Sequence, residues 1–567
     1  MPTNNANRHL RKFIDNHFYD TDYRNAFTDD GYTRLKAYLG KAKLGQPKVF
    51  TAPFAKGDSM SKILQDWDNV LVSISERWPT LYEFEMDLAK KVGPLSVQLP
   101  LQDRLADIAH YYEDISLPQV PIDGAAIKAV ISEFSSLRGL HLRSQEETWA
   151  NMKKSTSAGA PTLGKRRVYL PDQIPCRTHT YEGRHPDVTL WYSKKFKNRE
   201  YYDVPAIVGW RGQEGGPTEE DVKQRVIWMF PSGINLCELQ VYQPLIEGAQ
   251  KHNLVSPWVS MDAVDDRITK LFDTKRADDL VICTDFSKFD QHFNRVMREA
   301  AKSILQAILR TNVTSQGWLE EVFPAKYFIP LCWDYCEHEN QKLGIKTSDI
   351  TCFEGEHGMA SGSGGTNADE TLAHRALQYE VALKNGERLN VNSMCLGDDG
   401  ILTYPGITVE EVVQAYSSHG QECNTDKQYA STQDCVFLRR WHHKDYRMNG
   451  KCVGVYSTCR ALGKLRYLER FMDPEYWTRE MVAMRQLSII ENCNWHPLFE
   501  EFVEFCMERD SYRLGLDIPG FLDNITELAK EATDHINDFL GYTKTLQGEG
   551  PSGISEWRVV KYLKSKA

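Results

Sequence analysis

Two adjacent aspartates, Asp398 and Asp399, stand between glycines in the segment CLGDDGILTY, whose flanking residues are apolar and typical of β-strands. Neighbouring carboxylates repel each other unless a cation or a proton relieves them, and in a flat strand their side chains would point to opposite faces. Asp-Gly between two such segments is also a strong hairpin signal, which would make Asp399 and Gly400 merely a tight turn. The segment therefore predicts a turn or a divalent metal site.

A third carboxylate helps to decide between these hypotheses. Asp285 follows the run Leu280–Cys283, which is apolar on both faces and typical of a buried strand. If this strand lies beside the hairpin, Asp285, Asp398 and Asp399 converge, and turn residues need not alternate faces. Two-metal phosphoryl transfer needs such carboxylates from separate segments, with the ions ~3.5–4 Å apart. We predict both a turn and a metal site, with Asp398 the stronger ligand and Asp399 keeping part of the turn role.

The surrounding elements follow in the order strand, helix, loop and helix, hairpin, helix and strand, which predicts an α+β unit with a small antiparallel sheet. Thr366 with Asp369 resembles a capping box, and Thr408 with Glu411 predicts another helix that stops at Gly420. The segment CVFLRRW predicts one more strand. The two ends of the chain, about 150 and 120 residues long, are predicted to be mainly helical.

Composition narrows the class of protein. The 567 residues are 41% hydrophobic and 26% charged, and no apolar run approaches the ~20 residues that span a bilayer. The polar amino terminus lacks the core of a signal peptide, which favours a cytoplasm-like compartment. With a net charge of −10, any polyanion must be held locally. Basic clusters that could do so, although each alone is typical of a solvated face, are GKRRVYLP (164–171), YSKKFKNREYY (192–202) and KQRVIWMFP (223–231).

The 13 cysteines are scattered and odd in number, so we predict reduced thiols. Cys332, Cys336 and His338 could be imagined as a zinc site, but their spacing is not a standard pair of ligand pairs. Buried structural cysteines are the favoured interpretation.

Three motifs in order, DFSKFD (285–290), SGSGGT (361–366) and GDD (397–399), resemble the palm motifs of viral RNA-dependent RNA polymerases, most closely those of picobirnaviruses. The resemblance implies that Asp285 binds metal and that Asp290 recognises the ribose 2′-hydroxyl. It also implies that the loop with Ser361, Gly362 and Thr366 reads ribose and template.

Further segments fit the same family order. The resemblance implies that Lys427, in the pair DK, protonates the departing pyrophosphate. The strand FLRR resembles the primer grip, which assigns primer contacts to Arg439 and Arg440. Upstream, TSAGAP and KQR resemble two fingers motifs, one for the template and one for the triphosphate. They add Thr156, Ser157 and Gly159 as template contacts, and Lys223, Arg225 and Arg211 as triphosphate contacts.

One position departs from the family pattern. The family commonly has an asparagine four residues after the motif threonine, where this chain has Glu370, while its asparagine is Asn367. Either Asn367 takes over ribose selection, or Asp290 suffices together with Ser361 and Thr366.

The resemblance implies a closed right hand of fingers, palm and thumb, mostly helical outside the palm, with RNA in an internal basic tunnel. It further implies two Mg²⁺ ions, for which Mn²⁺ can substitute, with RNA, nucleoside triphosphates and a capsid protein as partners. A monomer in the virion interior and the host cytoplasm, without membrane attachment, is expected. The predicted regions are an N-terminal bridge (1–60), fingers (61–255 with 300–350), palm (256–299 and 351–440) and thumb with tail (441–567).

Two alternative functions are compatible with parts of this pattern. A reverse transcriptase would typically block the 2′-hydroxyl with a bulky ring, whereas Asp290 would accept a hydrogen bond from it. A non-catalytic, capsid-associated RNA-binding protein with a degenerate palm does not explain the intact carboxylates. The sequence leaves primed and de novo initiation open, and the linker before Gly553 suggests that a thumb loop or the tail beyond it could serve as an initiation platform.

Overall fold

The computed structural model describes residues 23–192, 200–334, 350–536 and 550–567, together with Lys12 and Phe539. Cys336 and His338 lie outside these ranges, as does most of the basic segment that begins at Tyr192. Cys332 is fully buried. In the ranges that are described, no helix is both long enough and apolar enough to cross a bilayer.

Helices dominate both ends of the chain, as predicted, and short 3₁₀ turns connect several of them. The α-helices are α1 (Asp29–Leu44), α2 (Met60–Leu71), α3 (Pro79–Ala89), α4 (Leu105–Glu113), α5 (Gly124–Glu133), α6 (Gln145–Ala150), α7 (Arg166–Tyr169), α8 (Ser232–Lys251), α9 (Ser256–Val259), α10 (Met261–Thr274), α11 (Arg295–Ile308), α12 (Val313–Gly317), α13 (Ala325–Phe328), α14 (Thr366–Lys384), α15 (Val409–Ser417), α16 (Thr458–Arg466), α17 (Arg479–Glu491), α18 (Phe499–Glu508), α19 (Ile525–His535) and α20 (Arg558–Lys566).

Short strands occupy the middle of the chain and form small sheets in which β4 and β8 pair in parallel and the other neighbours are antiparallel. The strands are β1 (Cys176–Tyr181), β2 (Asp187–Tyr192), β3 (Glu200–Asp203), β4 (Ala206–Gln213), β5 (Lys223–Met229), β6 (Val281–Thr284), β7 (Phe286–Ser287), β8 (Leu331–Asp334), β9 (Thr351–Phe353), β10 (Met394–Leu396), β11 (Asp399–Leu402), β12 (Glu422–Cys423), β13 (Tyr429–Ser431), β14 (Asp434–Phe437), β15 (Arg440–His443) and β16 (Val455–Tyr456).

The central sheet has the strand order β10-β11-β6-β13. Every residue of β6 is buried, which confirms the prediction of a buried strand ahead of Asp285. The long helix α14 is also buried along most of its length and contacts β10 and α11. The sheet and helix together give the hairpin a rigid support.

The two capping predictions have different outcomes. The Thr408 hydroxyl accepts a hydrogen bond from the Glu411 N–H, and α15 ends just before Gly420, as predicted. The capping box of Thr366 and Asp369 is wrong: the N-cap of α14 is Gly365, with no side-chain cap. Thr366 instead donates its hydroxyl to the Ala360 carbonyl at 3.1 Å.

Asp369 points into the core rather than back to the helix end. Its carboxylate forms a 2.9 Å ion pair with the ammonium of Lys326, and both side chains are fully buried. The hydroxyls of Tyr242 and Tyr327 each donate to it at 2.7 Å. A buried charge needs this degree of compensation, so the first turn of α14 is fixed by partners distant in sequence.

The segment CVFLRRW is a hairpin and not the single strand that was predicted. β14 ends at Phe437 and β15 begins at Arg440, with Leu438 and Arg439 as the two turn residues at φ of +52° and +61°. Positive φ at both turn positions matches the twist of the flanking strands, although it is costly for residues other than Gly or Asn.

The amino-terminal segment contacts two distant parts of the chain. Arg34 donates to the Thr162 carbonyl at 2.9 Å, and the Tyr38 hydroxyl donates to the Val208 carbonyl at 2.8 Å. Further along, the Ala52 N–H donates to the Arg466 carbonyl. The segment therefore touches both regions that were assigned to fingers and thumb.

A separate apolar core lies beneath the carboxyl-terminal helices. It joins residues from 441–563 with residues from 54–81, among them Trp67, which packs against Phe502 and Phe505. The boundary predicted at residue 61 falls within this core, because α2 and α3 pack together with the carboxyl-terminal helices.

The carboxyl-terminal tail belongs to the same core. Ile554, Trp557 and Leu563 are at most 1% exposed, and both carboxylate oxygens of Glu491 accept N–H groups at the start of α20. The apolar side chains of the described tail residues are therefore part of this core, and the hypothesis that the tail serves as an initiation platform stays a prediction.

Deleting Ile554–Ala567 should unfold the thumb core. Each buried apolar side chain is worth ~1.5–3 kcal/mol, and a whole domain has a net stability of only ~5–15 kcal/mol. We expect a lower melting temperature and loss of RNA synthesis with and without primer. The control Lys564→Ala alters an exposed tail residue and should change neither. A folded truncated protein that loses only unprimed synthesis would support the platform hypothesis.

Candidate active site

The register of the central sheet brings the predicted carboxylates together. Gly400 of β11 pairs with Thr284 of β6, so Asp399 and Asp285 lie one residue beyond the last pair at the same edge. Asp399 opposes Leu396 in the β10–β11 hairpin, which leaves Gly397 and Asp398 as the turn. The hypothesis that Asp399 and Gly400 form the turn is therefore wrong, because the turn lies two residues earlier.

Gly397 makes this two-residue turn possible. Its φ of +58° lies in the left-handed region that glycine adopts without strain. A Cβ at this position would lie 3.4 Å from Glu370 Oε2, so the turn also passes close to α14. Asp398 consequently projects from the tip, whereas Asp399 belongs to the strand.

Each aspartate has a different environment. The backbone of Asp285 is held on both sides by the Gln428 amide, at 2.8 and 2.9 Å, and its side chain is exposed. Asp398 is also exposed, while an oxygen of Asp399 accepts the Leu438 N–H at 2.8 Å. Asp399 is therefore partly committed to holding the neighbouring hairpin turn.

The electrostatics indicate an excess of negative charge. Desolvation by the surrounding protein raises the pKa of Asp285, which the charges of Lys427 and Lys91 oppose. Desolvation also raises the pKa of Asp398, and the charges of Asp290 and Asp285 add to the rise. Burial raises the pKa of Asp399 to about 7. A cation would relieve all three carboxylates.

The donor set suits Mg²⁺, which prefers oxygen ligands. In the part of the chain that the structure describes, no three His, Cys, Asp or Glu side chains already stand close enough to hold a metal ion. Mg²⁺ is commonly bound through one or two carboxylates together with substrate phosphates and water, so a ready-made protein cage is not required. Asp285 and Asp398 are accessible for this role.

A second acidic group lies beside the hairpin. Asp290 faces Arg225, whose guanidinium is 3.7 Å from its carboxylate. Glu370 is buried and hydrogen-bonds to the Asp290 side chain; burial and the charge of Asp290 raise the pKa of Glu370 well above its usual range. The raised pKa of Glu370 favours the protonated form of this carboxyl group, which can donate to Asp290.

Asn367, the other candidate for ribose selection, has a different partner. Its amide oxygen accepts the indole N–H of Trp258 at 2.8 Å, and the residue is exposed at the first turn of α14. It is Glu370, and not Asn367, that contacts Asp290.

The predicted triphosphate residues share one side of the β4–β5 ribbon. Lys223 and Arg225 are two residues apart on β5 and both exposed, and Arg211 of β4 lies opposite Arg225. The positive charges of Arg211 and Arg225 repel each other, and an anion bound between them would relieve this repulsion. Val226 and Trp228 belong to β5 itself, and their buried side chains anchor the strand.

The predicted template residues lie on two loops against the junction of β5 and α8. Gly159 and Gly362 pack so closely on the Phe230 and Trp228 carbonyls that a Cβ would lie 2.3 and 1.6 Å from the oxygens. The buried Ser361 hydroxyl has no hydrogen-bond partner in the described residues, and the same holds for Thr156 Oγ1. Ser157 is exposed on the first loop.

The two predicted primer residues differ in accessibility. Arg440 is buried, and its guanidinium donates to both carboxylate oxygens of Asp265, at 2.9 and 3.0 Å. It therefore holds the hairpin, and a direct primer contact does not fit. Arg439 occupies the turn itself, and burial lowers its pKa. Lys427 lies on an exposed 3₁₀ turn near Asp285.

Several residues at the site carry no sequence signal of their own. The Leu438 N–H, the Gln428 amide and Lys91 all act on the aspartates from distant segments. Glu370 is the exception, because the sequence alone shows a glutamate where the family commonly has an asparagine.

Comparisons with known proteins agree on one family. The family model described as viral RNA-dependent RNA polymerase matches residues 102–453. The "Potential RNA-dependent RNA polymerase" of Human picobirnavirus (strain Human/Thailand/Hy005102/-) is 53% identical over 538 residues, covering 94% of this chain and 96% of the relative. The crystal structure of the RNA-dependent RNA polymerase of a human picobirnavirus is similar at a TM-score of 0.88 and 51% identity, covering 97% of this chain and all (100%) of that one. Its insertion loop deletion mutant gives 0.86 and 49% over the same shares.

Proposed function

The chain belongs to the viral RNA-dependent RNA polymerases, and on that premise we propose which of its side chains carry out nucleotide transfer. One observation supports the proposal most: the β6–β11 register sets Asp285 beside the hairpin with Asp398 and Asp399. The family assignment and the three carboxylates favour this activity over a reverse transcriptase or a non-catalytic RNA-binding protein.

Asp285 and Asp398 would hold two Mg²⁺ ions, with Mn²⁺ able to substitute, and Asp399 would assist. When bound, such ions activate the attacking hydroxyl and stabilise charge on the leaving group. Asp399 contributes mainly by fixing the Leu438 turn beside the hairpin through its 2.8 Å bond. The protein thus supplies accessible carboxylates on a rigid sheet edge.

The basic side chains would orient the triphosphate. In the reaction the RNA 3′-oxygen forms a bond to the α-phosphorus, the bond from that phosphorus to the bridging oxygen breaks, and pyrophosphate leaves. Arg225, Lys223 and Arg211 would counter the phosphate charge, since guanidinium groups bind phosphate bidentately. The hydroxyl proton is lost to solvent, and Lys427 would supply one to the pyrophosphate.

The RNA and its surroundings complete the proposal. Thr156, Ser157, Gly159 and Gly362 would contact the template, and Arg439 would contact the primer. Ser361 would take part in binding the ribose. The proposal includes a capsid protein as partner, and an enzyme that acts as a monomer in the virion interior and the host cytoplasm, away from membranes.

A polymerase assay on a defined RNA template tests the proposal. Parallel reactions would contain ribo- or deoxynucleotides, with and without primer, and with Mg²⁺, Mn²⁺ or a chelator. We expect template-directed RNA that needs a divalent ion and ribonucleotides. Product formed in the chelator, or equal use of deoxynucleotides, would contradict the assigned metal and sugar chemistry.

A further inference from the structure

Glu238, in α8, is a fully buried carboxylate aimed at the glycine-rich loop (residues 361–366). Its Oε1 accepts the Gly364 N–H at 3.1 Å, and the Ser363 hydroxyl donates to its Oε2. Burial raises the pKa of Glu238 to about 7, and the charge of Lys326 opposes the rise. A buried carboxyl group is costly, so its bonds to a loop rather than to a helix or strand point to a role in holding that loop.

The same carboxylate is connected to a second loop by two side chains. In the amide orientation that satisfies its neighbours, Asn235 donates to Glu238 Oε1 at 3.1 Å and accepts from Arg166 at 3.2 Å. Arg166 also donates through Nε to the Ser232 hydroxyl and through Nη1 to the Lys153 carbonyl, both at 3.0 Å.

Arg166 ends the chain of bonds at the template loop (residues 156–161). Its backbone N–H donates to the Thr156 carbonyl at 2.9 Å, and the Ser232 N–H donates to the Ala158 carbonyl at 2.8 Å. The close packing of Gly159 and Gly362 on one strand end brings the two loops to the same support. They are thus joined both by backbone contact and by a continuous polar path.

We propose that Arg166, Asn235 and Glu238 form a brace that fixes the template loop and the glycine-rich loop at one spacing, and thereby keeps the template in register. None of the three touches the reacting atoms, so they are positioning residues. The inference rests on the template role proposed above for the two loops. Loss of the brace removes the side-chain coupling between the loops, so the template strand slips by whole nucleotides more often.

Matched substitutions separate this role from simple packing. Glu238→Leu keeps the volume but removes the bonds, whereas Glu238→Gln keeps an acceptor for Gly364 and gains a donor for Ser363. Arg166→Met breaks the other end of the brace, and Arg167→Met changes the exposed neighbouring arginine as a control. Each full-length variant would copy an RNA template with a homopolymeric run, and inserted and deleted nucleotides would be counted alongside the melting temperature.

We expect Glu238→Leu and Arg166→Met each to raise slippage about tenfold, which corresponds to the loss of one coupling interaction. Glu238→Gln should stay within about threefold of the parent, and Arg167→Met should not differ from it. The double variant Glu238→Leu/Arg166→Met should slip no more than the worse single variant, because both changes break one path.

Wild-type slippage in a folded Glu238→Leu protein would overturn the inference, as would slippage that multiplies in the double variant. If Glu238→Leu does not fold, Arg166→Met carries the same test from the partly exposed end of the brace. A parent enzyme that makes no RNA would instead refute the polymerase assignment, so the two failures are distinguishable.

Discussion

Replacing Asp398 by asparagine should lower the rate of nucleotide incorporation by about 10³-fold or more and leave the protein folded. Asparagine has nearly the same shape but no charge, and a metal ligand contributes several kcal/mol of charge stabilisation, of which ~4 kcal/mol is about 10³ in rate. The side chain is exposed at the hairpin tip, and its pKa is raised by desolvation from the surrounding protein and by the charges of Asp290 and Asp285. Removing the charge therefore relieves repulsion and should not cost stability.

Single-turnover primer extension measures the rate, and calorimetric titration with Mg²⁺ or Mn²⁺ measures ion binding independently of activity. Asp278→Asn makes the same charge change on an exposed turn outside the site and serves as the control. Full activity or unaltered ion binding in Asp398→Asn would remove Asp398 from the metal site. A lowered melting temperature would show instead that the hairpin depends on this side chain.

The sequence was sufficient for the carboxylates because their signal is local. A buried run before Asp285 and paired aspartates between strand-like segments can be read from a few neighbouring residues. The sequence does not locate the turn because Gly397 and Gly400 flank the two aspartates symmetrically. The turn is set at Gly397 and Asp398 by the pairing of Asp399 with Leu396 in the β10–β11 hairpin. Strand register is a property of the sheet, which no single segment contains.

Other predictions failed where distant partners override a local pattern. The Leu438–Arg439 turn has no Gly or Asn to mark it, and it is held by the Leu438 N–H bond to Asp399, 39 residues away in sequence. Arg440 is buried and donates a hydrogen bond to Asp265, which is 175 residues away in sequence. Asp369 has the spacing of a helix cap but forms an ion pair with the buried Lys326 instead. Such tertiary contacts outweigh helix and turn propensities of ~1 kcal/mol.

Glu370 shows what the structure adds at a position that the sequence had already marked. A carboxylic acid that stays protonated can donate a hydrogen bond to Asp290, as an asparagine amide would. Burial and the charge of Asp290 raise the pKa of Glu370, which favours this protonated form. The departure from the family pattern would then preserve a donor beside Asp290, the carboxylate proposed to recognise the ribose.

Replacing Asp290 by alanine should narrow the preference for ribo- over deoxynucleotides by about 10- to 100-fold. The carboxylate faces Arg225 at 3.7 Å and is supported by Glu370. A hydrogen bond from the ribose 2′-hydroxyl to a charged acceptor is worth ~1.5–3 kcal/mol, and its loss penalises only the ribonucleotide. The ratio of kpol/Kd for a ribonucleotide and its deoxy analogue measures the effect directly.

Variants of the supporting residue make the test specific. Glu370→Gln keeps a donor to Asp290 and should hold the preference for ribonucleotides within about threefold of the wild type. Glu370→Ala removes this donor and should lower the preference more than Glu370→Gln does. Asp278→Ala removes an exposed carboxylate elsewhere and should leave the ratio unchanged. An unaltered ratio in Asp290→Ala would exclude this carboxylate from sugar selection. Equal losses in Glu370→Gln and Glu370→Ala would mean that the carboxylic acid, and not a donor in general, is what Asp290 requires.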